Sequence, residues 1–319
     1  MITDTVLIIG ANGQLGSVLS EELQKIHGKS NVIASDIYLN SAFDGIFEII
    51  DATDIKAIED IVNKYAINQI YHLAAILSAK GEKNPLRTWD LNMSMMLNVF
   101  EVARTSNVKK VFFPSSIAVF GDKAPLENTP QSAILNPATV YGMSKAAGEN
   151  WAQYYFNKHG LDIRSIRYPG VIGYQSMPGG GTTDYAVDIY HSAVKQEKYS
   201  CFLNPETKLP MIFMDDAIRS TIELMQAPKK NIKTRTSYNL GSMSFSPNKI
   251  TEEIQKLYPN FKVEYNADFR QEIADKWPKS INDDEARKDW NWKPKYDLES
   301  MTVLMLEKLE KKYNTTTLK

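Results

Sequence analysis

The chain has 319 residues, a formal charge of −1, 24% charged residues and 43% hydrophobic ones; this length suits one large domain or two fused ones. The near balance of charge gives no composition-level case for nucleic acid or an anionic membrane. The single cysteine, Cys201, excludes an intramolecular disulfide and a cysteine-cluster metal site, and the absence of a long apolar run or a basic leader predicts a cytoplasmic protein without a membrane span.

The first element is an apolar run, Val6–Ile9, of the kind found in a strand covered on both faces. It feeds Gly10-Ala11-Asn12-Gly13-Gln14-Leu15-Gly16, after which Val18, Leu19, Leu23 and Ile26 keep helical spacing. Strand, glycine turn and helix form the context of a dinucleotide site. Gly10 permits the turn, Gly13 lets the backbone approach a pyrophosphate, and Gly16 lets helix and sheet pack closely. Asn12, Gln14 and Leu15 share that cradle, and the helix N-terminus supplies unpaired N–H groups for the phosphates. A second strand, Val32–Ser35, ends at Asp36, 20 positions after Gly16. An acid there accepts from ribose hydroxyls and repels a 2′-phosphate, so NAD is expected over NADP.

A third strand over 46–50 runs into Asp51-Ala52, where Asp51 faces an adenine amino group or caps a helix; Asp54 also serves capping. Ile55, Ile58, Ile61 and Val62 form an amphipathic helix. A fourth strand, Ile70-Tyr71-His72-Leu73-Ala74-Ala75, carries Leu73 on the cofactor side and ends in Ala74 and Ala75, which are small where a cofactor needs room. His72 reads as a packed strand residue. The stretch 76–87 reads as a loop over the site, with Ser78 a substrate contact. A helix over 89–103 carries Met93, Met96, Leu97 and Phe100 as core or dimer seam, and Asn92 as an orienting residue on the nicotinamide side. The fifth strand begins at Val111-Phe112-Phe113, is interrupted by Pro114, and delivers Ser115 and Ser116 to the carboxyl edge of the sheet, where ligands bind in such folds.

A helix from about Thr139 places Tyr141 and Lys145 one turn apart on one face. A free phenol has a pKa of about 10; a neighbouring ammonium favours the phenolate and a serine hydroxyl can hold the reacting oxygen. That set suits moving a proton on or off an alcohol while hydride leaves its carbon, with Ser116 the hydroxyl and Ser115 a neighbouring contact. Trp151, Tyr154 and Tyr155 further along suit an interface, so a homodimer through the helices near 89–103 and 139–157 is expected. The strand ending at Tyr168-Pro169 sets the backbone beside the nicotinamide. Pro178–Tyr185 is glycine-rich and polar, and its hydroxyls and Asp184 suit a small, polar, cationic ligand group. Asp215 and Asp216 open a helix, so capping explains at least one of them. Trp277 is placed to close over a small substrate.

Gly10, Gly13, Gly16, Asp36, Asp51, Ala74-Ala75, Ser115-Ser116, Tyr141 with Lys145, and Arg167-Tyr168-Pro169-Gly170 together resemble the extended short-chain dehydrogenase/reductase family, also called the NAD-dependent epimerase/dehydratase family. The resemblance covers nearly the whole chain. It implies an α/β fold: a Rossmann-type doubly wound parallel sheet over 1–172, with a smaller substrate-binding lobe over 173–319 that returns some segments to the core. It also implies that Tyr141 is the general acid/base, that Lys145 lowers its pKa and holds the nicotinamide ribose, and that Ser116 anchors the substrate oxygen. Phe113–Gly121 and Gly179–Ala186 are similar to the threonine-oxidising branch. That likeness implies L-threonine as substrate, with Thr182, Thr183 and Asp184 at its far end and Ser78 and Trp277 as walls. The rival within the family is a sugar-nucleotide epimerase, for which Arg219 could meet a phosphate.

Overall fold

The computed structural model describes residues 4–317. Its first strand, β1 (Val6–Ile9), is buried along its whole length, as an uninterrupted apolar run requires. The chain then alternates α1 (Gln14–His27), β2 (Val32–Asp36), β3 (Ile46–Ile49), α2 (Ile55–Lys64) and β4 (Gln69–His72). It continues through a short turn of helix, α3 (Ser78–Gly81), then α4 (Pro85–Thr105), β5 (Lys110–Ser116), α5 (Val140–His159) and β6 (Asp162–Tyr168). The remainder comprises β7 (Gly170–Ile172), α6 (Tyr185–Val194), β8 (Tyr199–Cys201), β9 (Leu209–Phe213), α7 (Met214–Gln226), β10 (Tyr238–Asn239), β11 (Met243–Phe245) and α8 (Pro247–Leu257). After them come β12 (Val263–Tyr265), α9 (Arg270–Ala274), α10 (Asp284–Trp290) and α11 (Leu298–Thr317).

Seven strands form one parallel sheet in the order β10-β6-β5-β4-β1-β2-β3. The chain order reverses between β1 and β4, which opens a crevice at the carboxyl edge where doubly wound sheets bind ligands. Two apolar cores cover the sheet: one holds Leu7, Ile9, Val99 and Phe100, and the other Val6, Ile8, Leu19 and Ile218. A third core joins α6, α8 and α11 over two small sheets, β11-β9-β7 and β12-β8. The late strand β10 returns to the edge of the large sheet beside β6. Among the described residues no helix is long and apolar enough to cross a membrane.

Three local expectations are corrected. Pro114 does not interrupt β5, which runs through to Ser116 in register with β6. Pairing with β4 stops at Phe112, so one side of β5 is open where the proline falls, and a missing donor is tolerated there. Residues 76–87 are not all loop: they hold α3 and the start of α4, capped by the Asn84 side chain with Pro85 in the first turn. Neither Asp215 nor Asp216 caps α7, whose N-cap is Phe213 with no side-chain bond. Fully buried Asp216 instead accepts from the Lys295 and Tyr296 N–H groups, and Asp215 from the Tyr296 hydroxyl. These acids fasten the segment that leads into α11.

Candidate active site

The glycine turn between β1 and α1 is shaped by close approach. Gly10 has φ +92°, and a Cβ there would lie 2.6 Å from the Ala74 nitrogen. A Cβ on Gly16 would overlap the Gly10 carbonyl. The N-cap of α1 is Gly13, which offers no side-chain acceptor, so the first N–H groups of the helix remain available to phosphate oxygens. Asp36 at the end of β2 accepts the Asn12 N–H at 3.0 Å, which fixes the acid beside the turn. Asp51 accepts from the Thr53 N–H and hydroxyl, whereas the α2 cap is Asp54. The Ala52 carbonyl is held by Asn98. A cradle that side chains would fill, an open helix N-terminus and an acid at the second strand fit a bound NAD.

From this turn a cleft runs to the ends of β5 and β6. Gly10, Gly13, Gln14, Leu15, Gly16, Leu73 and Ala75 line its cofactor end. Ser115, Ser116, Tyr141, Lys145, Tyr168 and Pro169 line its far end. Thr139 caps α5 by accepting the Gly142 N–H at 3.1 Å, which fixes the first turn and with it Tyr141. Burial pushes the Tyr141 phenol up to about 12, opposed by a hydrogen bond with Ser116. Burial also lowers Lys145 to about 7. The Lys145 ammonium rests on the Phe113 ring, 4.6 Å from its centroid, and 5.5 Å from that of Tyr141. It is held by ring faces, which attract a cation, and stands beside the phenol ring.

The outer wall comes from segments distant in sequence. The Ser78 and Thr182 hydroxyls are 3.4 Å apart, which joins the α3 turn to the glycine-rich stretch. Asp184 folds that stretch by accepting the Gly180 and Gly181 N–H groups at 2.8 and 2.7 Å; burial raises its pKa. Gln14 donates to the Met177 carbonyl at 3.2 Å, so the same stretch reaches back over the cofactor turn. Thr183, Asp184 and Trp277 line the cleft, and the buried Trp277 Nε1 has no protein partner.

Several residues stand elsewhere. Asn92 does not line the cleft: its amide clamps the Ile76 backbone in both directions and donates to Ser144, tying the loop after β4 to α5. His72 is buried with its pKa lowered to about 3 by desolvation, and stacks on Phe113. Arg219 pairs with Asp216 and Glu223 and lies on Trp292, away from the cleft. Leu77, Ile117 and Val171 are cleft walls without a sequence signal, being apolar residues among many. Among the described residues no group of acids, histidines and cysteines could hold a metal ion.

A doubly wound sheet with a dinucleotide cradle and a Ser-Tyr-Lys set at one cleft defines a nicotinamide-dependent enzyme of the short-chain dehydrogenase class. The chain belongs to the NAD dependent epimerase/dehydratase family, which matches residues 6–241, and NAD is its cofactor. It is 47% identical over 312 residues to an uncharacterized epimerase/dehydratase of Staphylococcus aureus, covering 96% of this chain and 97% of that one. Among solved structures it resembles the holo form of a GalE-like L-threonine dehydrogenase from Cupriavidus necator, at TM-score 0.94 and 49% identity over 96% of this chain and 99% of that one. The L-threonine dehydrogenase of Clostridium difficile matches with TM-score 0.94 and 44% identity, covering 97% and 98%.

Proposed function

We propose that this protein oxidises the C3 hydroxyl of L-threonine with NAD+, giving 2-amino-3-oxobutanoate and NADH. The observation that carries this reading is one cleft lined together by Ser116, Tyr141 and Lys145, by Gly179, Gly181, Thr182, Thr183 and Asp184, and by Trp277. Solved relatives at 44–49% identity described as L-threonine dehydrogenases share this fold over nearly the whole chain. Arg219, the one residue that favoured a sugar-nucleotide phosphate, is spent on Asp216 and Glu223.

In this reading the threonine hydroxyl lies between Ser116 and Tyr141. Ser116 holds the oxygen, and the Tyr141 phenolate accepts its proton as the carbonyl forms. Lys145, in its protonated form, puts positive charge next to the phenol ring, which favours the phenolate. Bound NAD+ would supply the hydride acceptor; Gly10–Gly16 and Asp36 would hold its phosphate and ribose end, with Asp51 and Ala52 towards the adenine. Fixed donors and correct placement do the chemical work, without a covalent enzyme intermediate. Thr182, Thr183 and Ser78 contact the amino-acid end, and Asp184 shapes the loop that presents them.

Tyr141→Phe tests this directly, because it removes the proton acceptor and leaves the ring. NADH production from L-threonine should fall at least ~100-fold, the usual scale of general acid–base catalysis, while NAD+ still binds. Wild-type turnover by Tyr141→Phe would remove Tyr141 from the mechanism. We also propose a cytoplasmic homodimer joined through the outer faces of α4 and α5, where Trp89, Trp151 and Tyr154 are exposed.

A further inference from the structure

Glu149 lies on α5, one turn beyond Lys145 and two beyond Tyr141, and is fully buried. A buried carboxylate must be hydrogen-bonded and charge-compensated to persist, and its partners here come from the catalytic strands. The Ser115 hydroxyl donates to its Oε1 at 2.6 Å. Arg167 donates in a fork, Nε to Oε1 at 2.9 Å and Nη2 to Oε2 at 2.7 Å. Ser115 and Arg167 are register partners on β5 and β6, so their side chains rise from the same face and meet the same carboxylate. The remaining arm of Arg167 donates to the Gln131 carbonyl and the Asn239 side chain, both at 3.0 Å, which anchors the guanidinium on β10 and the loop before α5.

The neighbouring contacts run along the same helix face. A Cβ on Gly148 would lie 2.5 Å from the Phe113 ring, so α5 sits close upon β5 at that point. The Lys145 ammonium rests on the same Phe113 ring. The Gly148 contact sets the depth of α5 against the sheet, and Thr139, Glu82 and Asn92 hold its first turns. Three charge-assisted bonds from two strands to one carboxylate fix the helix further along, on the side that faces β5 and β6.

We infer that Glu149 is a positioning residue: it fixes the rotation and axial register of α5 against β5 and β6, and so holds Tyr141 and Lys145 in line with Ser116. The residues adjoining its two partners, Ser116 and Tyr168, line the reaction end of the cleft, so one carboxylate ties together three elements that supply it. The inference rests on the proposed role of Tyr141. It predicts a loss that falls mainly on the chemical step: Lys145 is the one cofactor contact on α5, while the glycine cradle and Asp36 belong to β1, α1 and β2.

The test measures kcat and KM with L-threonine and NAD+, together with NAD+ affinity by calorimetry, for wild type, Glu149→Gln, Glu149→Ala and Ser115→Ala. A misplacement of catalytic groups by about 1 Å costs on the order of 100-fold. Glu149→Ala should lower kcat on that scale with a far smaller fall in NAD+ affinity, and Glu149→Gln, which keeps shape and one acceptor, should recover much of the loss. Ser115→Ala is the milder variant should Glu149→Ala not fold, and it should lower kcat more than NAD+ affinity. Hydrogen exchange across 140–149 supplies a readout independent of substrate and should quicken in folded Glu149→Gln. Wild-type kcat in a folded Glu149→Ala or Ser115→Ala protein, an equal fall of kcat and NAD+ affinity, or unchanged exchange would overturn the inference. Absence of L-threonine turnover by the wild-type enzyme would instead count against the functional reading, and exchange would still decide the role of Glu149.

Discussion

Tyr141 and Lys145 are both shifted towards their neutral forms by the same cause, removal from water. Burial pushes the phenol up to about 12 and brings the ammonium down to about 7. Burial by itself therefore disfavours the phenolate that would accept an alcohol proton. Positive charge entering beside Tyr141 is what would favour its phenolate. Lys145 also carries a testable linkage. Its folded pKa lies below its unfolded value of 10.5, so between about pH 10.5 and pH 7 the unfolded chain binds a proton that the folded protein does not. Stability contributed through this group is gained as pH rises across that window and lost as pH falls. Lys145→Met should therefore be more heat-stable than wild type near neutrality, with a gap in Tm that narrows as pH approaches 10.5. A gap independent of pH from 7 to 10.5 would show that Lys145 is not held neutral by burial.

At the scale of elements, the helix that carries Tyr141 and Lys145 is pinned at its start. Thr139 at the N-cap satisfies the Gly142 N–H, and Glu82 from the end of α3 accepts the Val140 N–H at 2.9 Å. Thr139→Ala should cost about 1 kcal/mol, read as a lowered urea midpoint without a change in slope. An unaltered midpoint would mean that the tertiary contacts of α5 carry its N-terminus alone. The same scale shows where sequence reading succeeds and stops. The strand, glycine turn and helix over 6–27 were legible because each residue there answers to local sterics or local hydrogen bonding. Local sequence suggests a capping acid among Asp215 and Asp216 because their actual partners, Lys295 and Tyr296, lie some 80 residues away. Local sequence likewise makes Pro114 a break, because only the neighbouring strands determine which side of β5 is open. Asn92 is clamped on Ile76 and Ser144, contacts that helical spacing alone does not disclose.

Over the whole molecule, the proposed reaction centre is legible in the sequence and its enclosure is less so. Ser116, Tyr141 and Lys145 stand out because the chemistry demands those residue types at that spacing, whereas Leu77 and Val171 wall the cleft with no property that singles them out. The methionine stripe of α4 resolves into core: Met93, Met96 and Phe100 are buried, with Met96 close beneath Gly148. The outward face of α5 instead shows Trp151 at 38% and Tyr154 at 47% exposure. Large aromatics in the open suit an interface core. Trp151→Arg combined with Tyr154→Glu should therefore convert a dimer seen by sedimentation into a monomer that retains the fold. A wild-type protein that sediments as a monomer throughout the micromolar range would contradict the proposed interface.

The central claim is tested most directly by absorbance at the NADH band, with purified protein and NAD+ given L-threonine, D-threonine, L-serine or a UDP-hexose in parallel. Strong NADH production with L-threonine, lost in Tyr141→Phe and absent with the UDP-hexose, is the predicted result. Silence with L-threonine, accompanied by interconversion of the UDP-hexose without net NADH, would contradict it and make the Gly179–Asp184 stretch part of a sugar site.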